Sequence, residues 1–104
     1  MRQAVGMIEV YGLVAAFAAC DAGCKAANVT VEPFDKNRPF GSKDIPVPLL
    51  VLVKFRGSVE NVTAAVEAAE AAANRVSGVS MKHIMSVVEE GADAMLHLNA
   101  FDKN

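Results

Sequence analysis

The first third of the chain shows two spacings of apolar residues, one typical of strands and one typical of a helix. Residues 4–11 are rich in β-branched and aromatic types and predict a first strand that Gly12 ends. Residues 13–27 carry apolar side chains every three or four positions, which predicts a helix that stops near Asn28. Residues 29–34 predict a second strand. The predicted buried stripe of the helix consists of Leu13, Phe17, Cys20, Cys24 and Ala27.

Residues 35–48 break both patterns and predict a long loop. The segment contains three prolines and one glycine, which exclude regular structure, and it carries charges of both signs. Connections inside a compact domain usually run about 4–6 residues, and much longer ones are commonly functional or mobile. We therefore expect the loop to carry part of the function.

The rest of the chain predicts two more strands and two more helices. The third strand is apolar except at Lys54, which suggests a central position in the sheet. The second helix has the clearest amphipathic pattern of the chain, with Ser58 as its cap and Gly78 as its stop. The predicted strands cover 49–55 and 79–85, and the predicted helices cover 59–76 and roughly 87–98. The order βαββαβ predicts one α+β domain over 1–104, with a ferredoxin-like four-stranded antiparallel sheet and an extra C-terminal helix.

Composition narrows the possible partners. The 104 residues have a net charge of −2 and no basic run, which argues against a nucleic-acid partner. A mean hydropathy of +0.29 is high for a small soluble monomer, so we expect apolar surface to lie between subunits. Glu9 interrupts an N-terminal stretch that imitates a signal peptide, and no apolar run reaches the roughly 18 residues of a membrane span. The sequence thus predicts no membrane partner, and the Cys20–Cys24 pair, whose spacing within one helix does not suit a disulfide, favours a reducing cytoplasm.

Side chains that could support catalysis or metal binding are few. His83 and His97 are the only histidines, and they lack further ligands at metal spacing. Cys20 and Cys24 are interpreted as small core residues, and the Gly41-Ser42 pair lacks the remaining residues of a phosphate-binding loop. We therefore expect no enzyme activity, no metal and no cofactor.

Several segments together resemble the bacterial microcompartment shell domain. That family typically opens with a strand of form A-x-G-x-I/V-E followed by G-x-x-A-A, as in residues 4–16 here. Similar segments follow at residues 20–29, 34–36, 54–59 and 64–69. The resemblance covers almost the whole chain, and the length matches the single-domain type that forms hexamers.

The resemblance implies a flat six-fold ring with a central pore, and rings that tile into a shell with other shell proteins around enzymes. Lys25, with Asn28, would lie at the contact between hexamers. The loop after the second strand would line the pore, although it is longer than the family's tight glycine-rich turn. Ser86-Val87 replaces the Pro-Arg pair that helps join hexamers in the family, which bears on flat tiling. The implied pore-lining residues are Arg38, Pro39, Phe40, Gly41, Ser42, Lys43 and Asp44.

Two interpretations of the loop remain open. Residues 34–46 carry a net charge of +1 per chain, so a ring of six would concentrate positive charge and favour small anionic or polar metabolites. Alternatively, the long loop closes the pore or docks cargo. At the level of function, the main alternative to a shell protein is a small-ligand sensor of ferredoxin-like fold, and a small isomerase with a site between subunits ranks third.

Overall fold

The computed structural model describes residues 3–37 and 49–86. In these ranges, four strands and two helices follow one another in the predicted order βαββαβ. They are β1 (Ala4–Tyr11), α1 (Leu13–Ala26), β2 (Thr30–Asn37), β3 (Leu50–Gly57), α2 (Val59–Val76) and β4 (Val79–Met85).

The strands form one antiparallel sheet in the order β2-β3-β1-β4. This confirms the predicted fold class: an α+β fold with a ferredoxin-like four-stranded antiparallel sheet. The extra helix predicted over roughly 87–98 lies outside the described residues, and the assignment of 1–104 to one domain stays a prediction.

The second strand is longer than predicted. It runs to Asn37 because Asp35 and Lys36 pair with β3 at Leu52 and Val51. The first three residues of the predicted loop, 35–37, are therefore part of the strand. The pairing register shifts between Glu32 and Asp35, which places Pro33 in a bulge of an edge strand, where a missing N–H is tolerated.

Both helices cover the same face of the sheet, and the main core lies between them and the strands. Val53 and Phe55 of β3 and Ile8 of β1 are fully buried on this face. Aromatic and branched side chains of the sheet pack mostly against alanines of the helices, so the helices lie close to the sheet. The buried helix residues of this core are Ala15, Ala16, Ala19, Val62, Ala65, Val66, Ala69 and Ala73.

The second helix agrees with its prediction at both ends. The Ser58 hydroxyl accepts a hydrogen bond from the Asn61 amide at 3.1 Å, which caps the first turn. At the other end, the amides of Ser77 and Gly78 donate to the Ala73 carbonyl at 2.9 and 3.1 Å. Gly78 has φ 143°, a conformation that favours glycine, and it ends the helix as predicted.

The first helix contradicts its prediction. Leu13, Phe17 and Cys24 were expected inside but are exposed, and the buried residues are Ala15, Ala16, Ala19 and Gly23. The reason is the distance between helix and sheet. A Cβ on Gly23 would lie 2.4 Å from a ring carbon of Phe55, so only the small side of α1 can approach this closely. The larger apolar side chains must then point outward.

Candidate assembly surfaces

The outward side of α1 is an apolar surface, which we call the α1 ridge. Three of its members are strongly exposed: Leu13 at 40%, Val14 at 72% and Phe17 at 60%. The Phe17 ring is supported from below by Phe34 of β2, with ring centroids 5.4 Å apart and planes tilted by 58°. The ridge comprises Leu13, Val14, Phe17, Cys20 and Cys24.

Both thiols lie on this ridge, but only Cys24 is outside the core, because Cys20 also packs against the buried core residues. Cys24 is exposed and Cys20 is half-buried. Burial, and next the hydrogen-bonding Cys24 thiol, raises the pKa of Cys20 to about 11. The Cys20 thiol is therefore protonated near neutral pH, which makes it a poor nucleophile and metal ligand. The described residues contain no group of three or more His, Cys, Asp or Glu that could hold a metal ion.

The predicted edge residues lie at the far end of α1. Lys25 occupies the last turn, where its ammonium contacts the Asp21 carboxylate at 2.9 Å. This hydrogen bond and the carboxylate charge raise the pKa of Lys25, so the ammonium stays charged well above neutral pH. Asn28 is exposed in the connection before β2. Both predicted edge residues are thus accessible and close in sequence, and their contact role stays a prediction.

The predicted pore-lining residues, 38–44, all lie outside the described residues. The structure does describe the two strand ends that flank residues 38–48. Asn37 of β2 pairs with Leu50 of β3, and the Gly12 amide donates to the Leu49 carbonyl at 2.8 Å. Residues 38–48 therefore connect to the sheet at the end where α1 begins.

The face of the sheet opposite α1 and α2 contains a charge cluster, which the sequence pattern did not predict. Lys54 is only 2% exposed and pairs in register with Glu32 of the neighbouring strand. Beside it, the Arg56 Nε donates to a Glu32 carboxylate oxygen at 2.8 Å. Burial lowers the pKa of Lys54, while the charges of Asp35 and Glu32 oppose that shift. The sequence signal for this cluster was a lysine two residues before an arginine in an otherwise apolar strand.

On the opposite edge of the sheet, α2 and β4 enclose a groove with a volume of about 310 Å³. We call it the β4 groove. Its lining combines apolar side chains with the charged side chains Glu67 and Lys82. It is lined by Thr63, Val66, Glu67, Lys82, His83 and Ile84.

The histidines do not form a site within the described part of the chain. His83 is exposed on β4, which agrees with a surface role, and His97 lies outside the described residues. The isomerase alternative, which needs a histidine beside a carboxylate across a subunit interface, stays a hypothesis. Neither described helix combines the length and apolar character needed to cross a membrane.

Comparison with solved structures supports the fold. A microcompartment protein from Desulfitobacterium hafniense DCB superposes with a TM-score of 0.71 at 21% identity. The match covers 96% of the present chain but 49% of the solved chain, so the present chain spans about half of that protein's length.

Comparison with known sequences identifies the family. The bacterial microcompartment shell protein PduA of Citrobacter freundii is 40% identical over 84 residues, which are 81% of each chain. The carboxysome shell protein CcmK2 of Synechocystis sp. is 39% identical over 98 residues, covering 92% of this chain and 86% of that protein. These relatives are structural shell proteins. The BMC domain model matches residues 4–88. The chain therefore belongs to the BMC domain family of bacterial microcompartment shell proteins.

Proposed function

We propose that this protein is a structural subunit of a microcompartment shell in the bacterial cytoplasm and that six copies form its working unit. The observation that carries the proposal is the outward placement of large apolar side chains on α1 in a chain whose relatives are shell proteins. Exposed groups such as Phe17 at 60% are unfavourable in water and favour contact with another chain. The proposed partners are identical copies, other shell proteins and enclosed enzymes.

Residues 38–44 are proposed to line a central opening. Support comes from the strand pairing, because Asn37 and Leu50 hold both ends of the segment at one edge of the domain. Asp35 and Lys36 belong to β2, which leaves Arg38, Lys43 and Asp44 as the charged residues of the segment and keeps its net charge at +1. Six copies around one axis would create a positive field that favours small anionic or polar metabolites over apolar ones.

Lys25 and Asn28 are proposed to form contacts with neighbouring hexamers. They lie at the end of α1 that is remote from the strand ends bordering residues 38–48. If the axis lies beside those strand ends, α1 runs outward and carries Lys25 to the rim. Exposure of both residues supports this placement.

The first experiment measures assembly. Native mass spectrometry and light scattering after gel filtration should give a mass of six chains without added ligand, and electron microscopy should show rings. A sensor of ferredoxin-like fold would instead remain a smaller oligomer that tightens with an effector. A stable monomer at micromolar concentration contradicts the proposal.

The second experiment measures passage through the opening. Shells loaded with a reporter enzyme are assembled from wild-type protein, Arg38→Gln or Lys43→Gln, with Arg75→Gln at the exposed end of α2 as the matched control. Entry of an anionic substrate should slow in the two loop variants and stay unchanged in the control. Equal rates in all four proteins would exclude charge selection and favour a closed pore or a docking role.

A further inference from the structure

Three methionines surround one histidine on the sheet face opposite α1 and α2. His83 of β4 pairs in register with Met7 of β1. Met81 and Met85 lie two residues before and after His83, and alternate residues of a strand share one face. All four side chains therefore lie on the same side of the sheet. We call this group the thioether cluster, and it comprises Met7, Met81, His83 and Met85.

The residues between the cluster positions confirm which face this is. A Cβ on Gly6 would lie 2.6 Å from a side chain of α2, so Gly6 and its partner Ile84 are on the helix side of the sheet. Lys82 is on the helix side too, because its ammonium donates to the Glu70 carboxylate of α2 at 2.8 Å. The cluster residues of β4 alternate with Lys82 and Ile84 and therefore lie on the opposite face.

The donor atoms of the cluster are within reach of one another. Residues directly opposite in an antiparallel pair have Cβ atoms about 4.5–5.5 Å apart, and diagonal neighbours are about 7–8 Å apart. Methionine is unbranched and has three rotatable bonds, so its sulfur can move across such distances toward the imidazole. The cluster can therefore bring three sulfur atoms and one ring nitrogen to a common point.

Part of the cluster is packed in place and part is open. Met7 and Met85 pack against Val5, which is fully buried and pairs with Met85 in register. Met81 is 42% exposed, and His83 is exposed. A small solute can therefore enter from the Met81 side and contact thioethers that Val5 supports.

Charges near the cluster suit a cation. Glu9 pairs in register with Met81 and adds a carboxylate beside the thioethers. Lys54 lies on the other side of Met7, but the carboxylates of two β2 residues attract and offset its positive charge. The surroundings of the cluster are thus acidic on one side and balanced on the other.

Thioether sulfur together with imidazole nitrogen selects soft metal ions. Soft sulfur ligands favour Cu(I), imidazole also suits copper, and Mg²⁺, Ca²⁺ and Mn²⁺ prefer oxygen ligands. The expectation of no metal considered histidine, cysteine and carboxylate ligands, which are the donors of zinc sites. His83 has no set of such ligands in the described part of the chain, but that finding does not count thioethers.

We propose that the thioether cluster binds one Cu(I) ion per subunit, with His83 supplying the nitrogen ligand and the three methionines supplying the sulfur ligands. Thioethers bind a metal ion without losing a proton, so the step is a simple addition of the ion to existing donors. All four donors belong to one chain, and none of them is a proposed pore or hexamer-edge residue. The proposal therefore does not depend on the proposed ring.

Nuclear magnetic resonance of the methionine ε-methyl groups tests the site directly. The probe is Ag(I), a soft, monovalent and diamagnetic stand-in for Cu(I). It is added to purified Cys20→Ala, Cys24→Ala protein, in which no thiol can bind it. The signals of the three cluster methionines should shift together and saturate at one ion per subunit. No shift at one equivalent, or shifts that keep growing with further ions, would overturn the proposal.

Competition with a colorimetric Cu(I) chelator, under reducing and oxygen-free conditions, measures the affinity in the same background. Met81→Leu and Met85→Leu keep the side-chain volume and remove one sulfur each, so each should weaken Cu(I) binding at least about tenfold. Ile84→Leu lies between them on the helix side and is the matched control, which should bind like the parent protein. Circular dichroism checks that all variants are folded. Equal affinities in the four proteins would mean that the methionines serve packing alone.

X-ray absorption at the copper edge identifies the ligands. The Cu(I)-loaded protein should show sulfur neighbours and one nitrogen neighbour, and the nitrogen should disappear in His83→Ala. Copper that binds the wild-type chain but not the cysteine-free chain would assign the metal to Cys20 and Cys24 and contradict the proposal.

Discussion

The two helices are both rich in alanine and pack on the same sheet face, yet the valines in the middle of α2 face the sheet, whereas the large apolar residues of α1 face outward. α2 buries Val62 and Val66 against the sheet, whereas α1 buries only alanines and Gly23 and exposes Val14 and Phe17. α2 therefore uses its large apolar residues for the core of the domain, while α1 exposes most of its large apolar side chains to the surroundings. An apolar residue on a helix therefore does not by itself indicate the core.

The largest expected effect comes from adding a side chain where α1 packs most closely on the sheet, at Gly23. Gly23→Val should lower the free energy of unfolding by about 3 kcal/mol, because the new side chain would overlap the Phe55 ring. Urea denaturation followed by circular dichroism measures the change. Cys24→Val, at the neighbouring exposed position, should change the value by less than about 0.5 kcal/mol. Equal effects at both positions would mean that α1 does not sit this close to the sheet.

The alkylation rate of Cys20 tests whether this residue lies on the buried or on the exposed side of α1. Because burial raises the pKa of Cys20 to about 11 from 9.0, its thiolate fraction at pH 8 should be about 100-fold below that of an ordinary cysteine. Iodoacetamide should therefore label Cys20 slowly, with a rate that rises until about pH 11. Mass spectrometry of quenched samples follows the labelling, and protein unfolded in urea serves as the control. A folded-state midpoint near 9 would place Cys20 fully in water.

Paired truncations compare the helices directly. Val66→Ala should cost about 2 kcal/mol of unfolding free energy, since it removes buried methyl groups and leaves a cavity. Val14→Ala should change it by no more than about 0.5 kcal/mol, because the side chain is 72% exposed. Both are measured in urea at matched assembly state. A larger loss at Val14 would reverse the roles assigned to the two helices.

The smallest expected effect concerns how α2 begins. Ser58→Ala should cost about 1 kcal/mol, because the Asn61 amide loses its hydrogen-bond acceptor. Thermal unfolding measures the shift, and Ser80→Ala at an exposed position of β4 is the control. α1 has no such side-chain cap, since it begins after Gly12 with φ 90°. A loss no greater than that of the control would show that the Ser58 cap contributes nothing.

Much of the fold was predictable because its signals are local. Strand and helix order, the Ser58 cap and the Gly78 stop all depend on near neighbours in sequence. The end of β2 was missed because Asp35 and Lys36 are stabilised as strand only by pairing with β3. The buried side of α1 was predicted wrongly for a similar reason. Apolar residues occur all around that helix, so their spacing could not indicate which side approaches Phe55.

The candidate surfaces were predictable only in part. The resemblance led to Lys25 and Asn28, which are accessible, and their contacts stay a prediction. The β4 groove combines residues from α2 and β4, a juxtaposition that only the tertiary structure provides. The apolar strand around Lys54 was recognised, but the pairing of this lysine with acidic residues was not, because those residues come from a different strand.

If many copies of this chain pack together as proposed, Pro33 has a consequence for how they meet. Edge strands invite uncontrolled strand-to-strand addition, the route to fibrous aggregates. At the bulged edge of β2, a proline withdraws one amide and the backbone kinks, so a foreign strand cannot continue the ladder there. The β2 edge of each copy is thus protected from open-ended sheet growth.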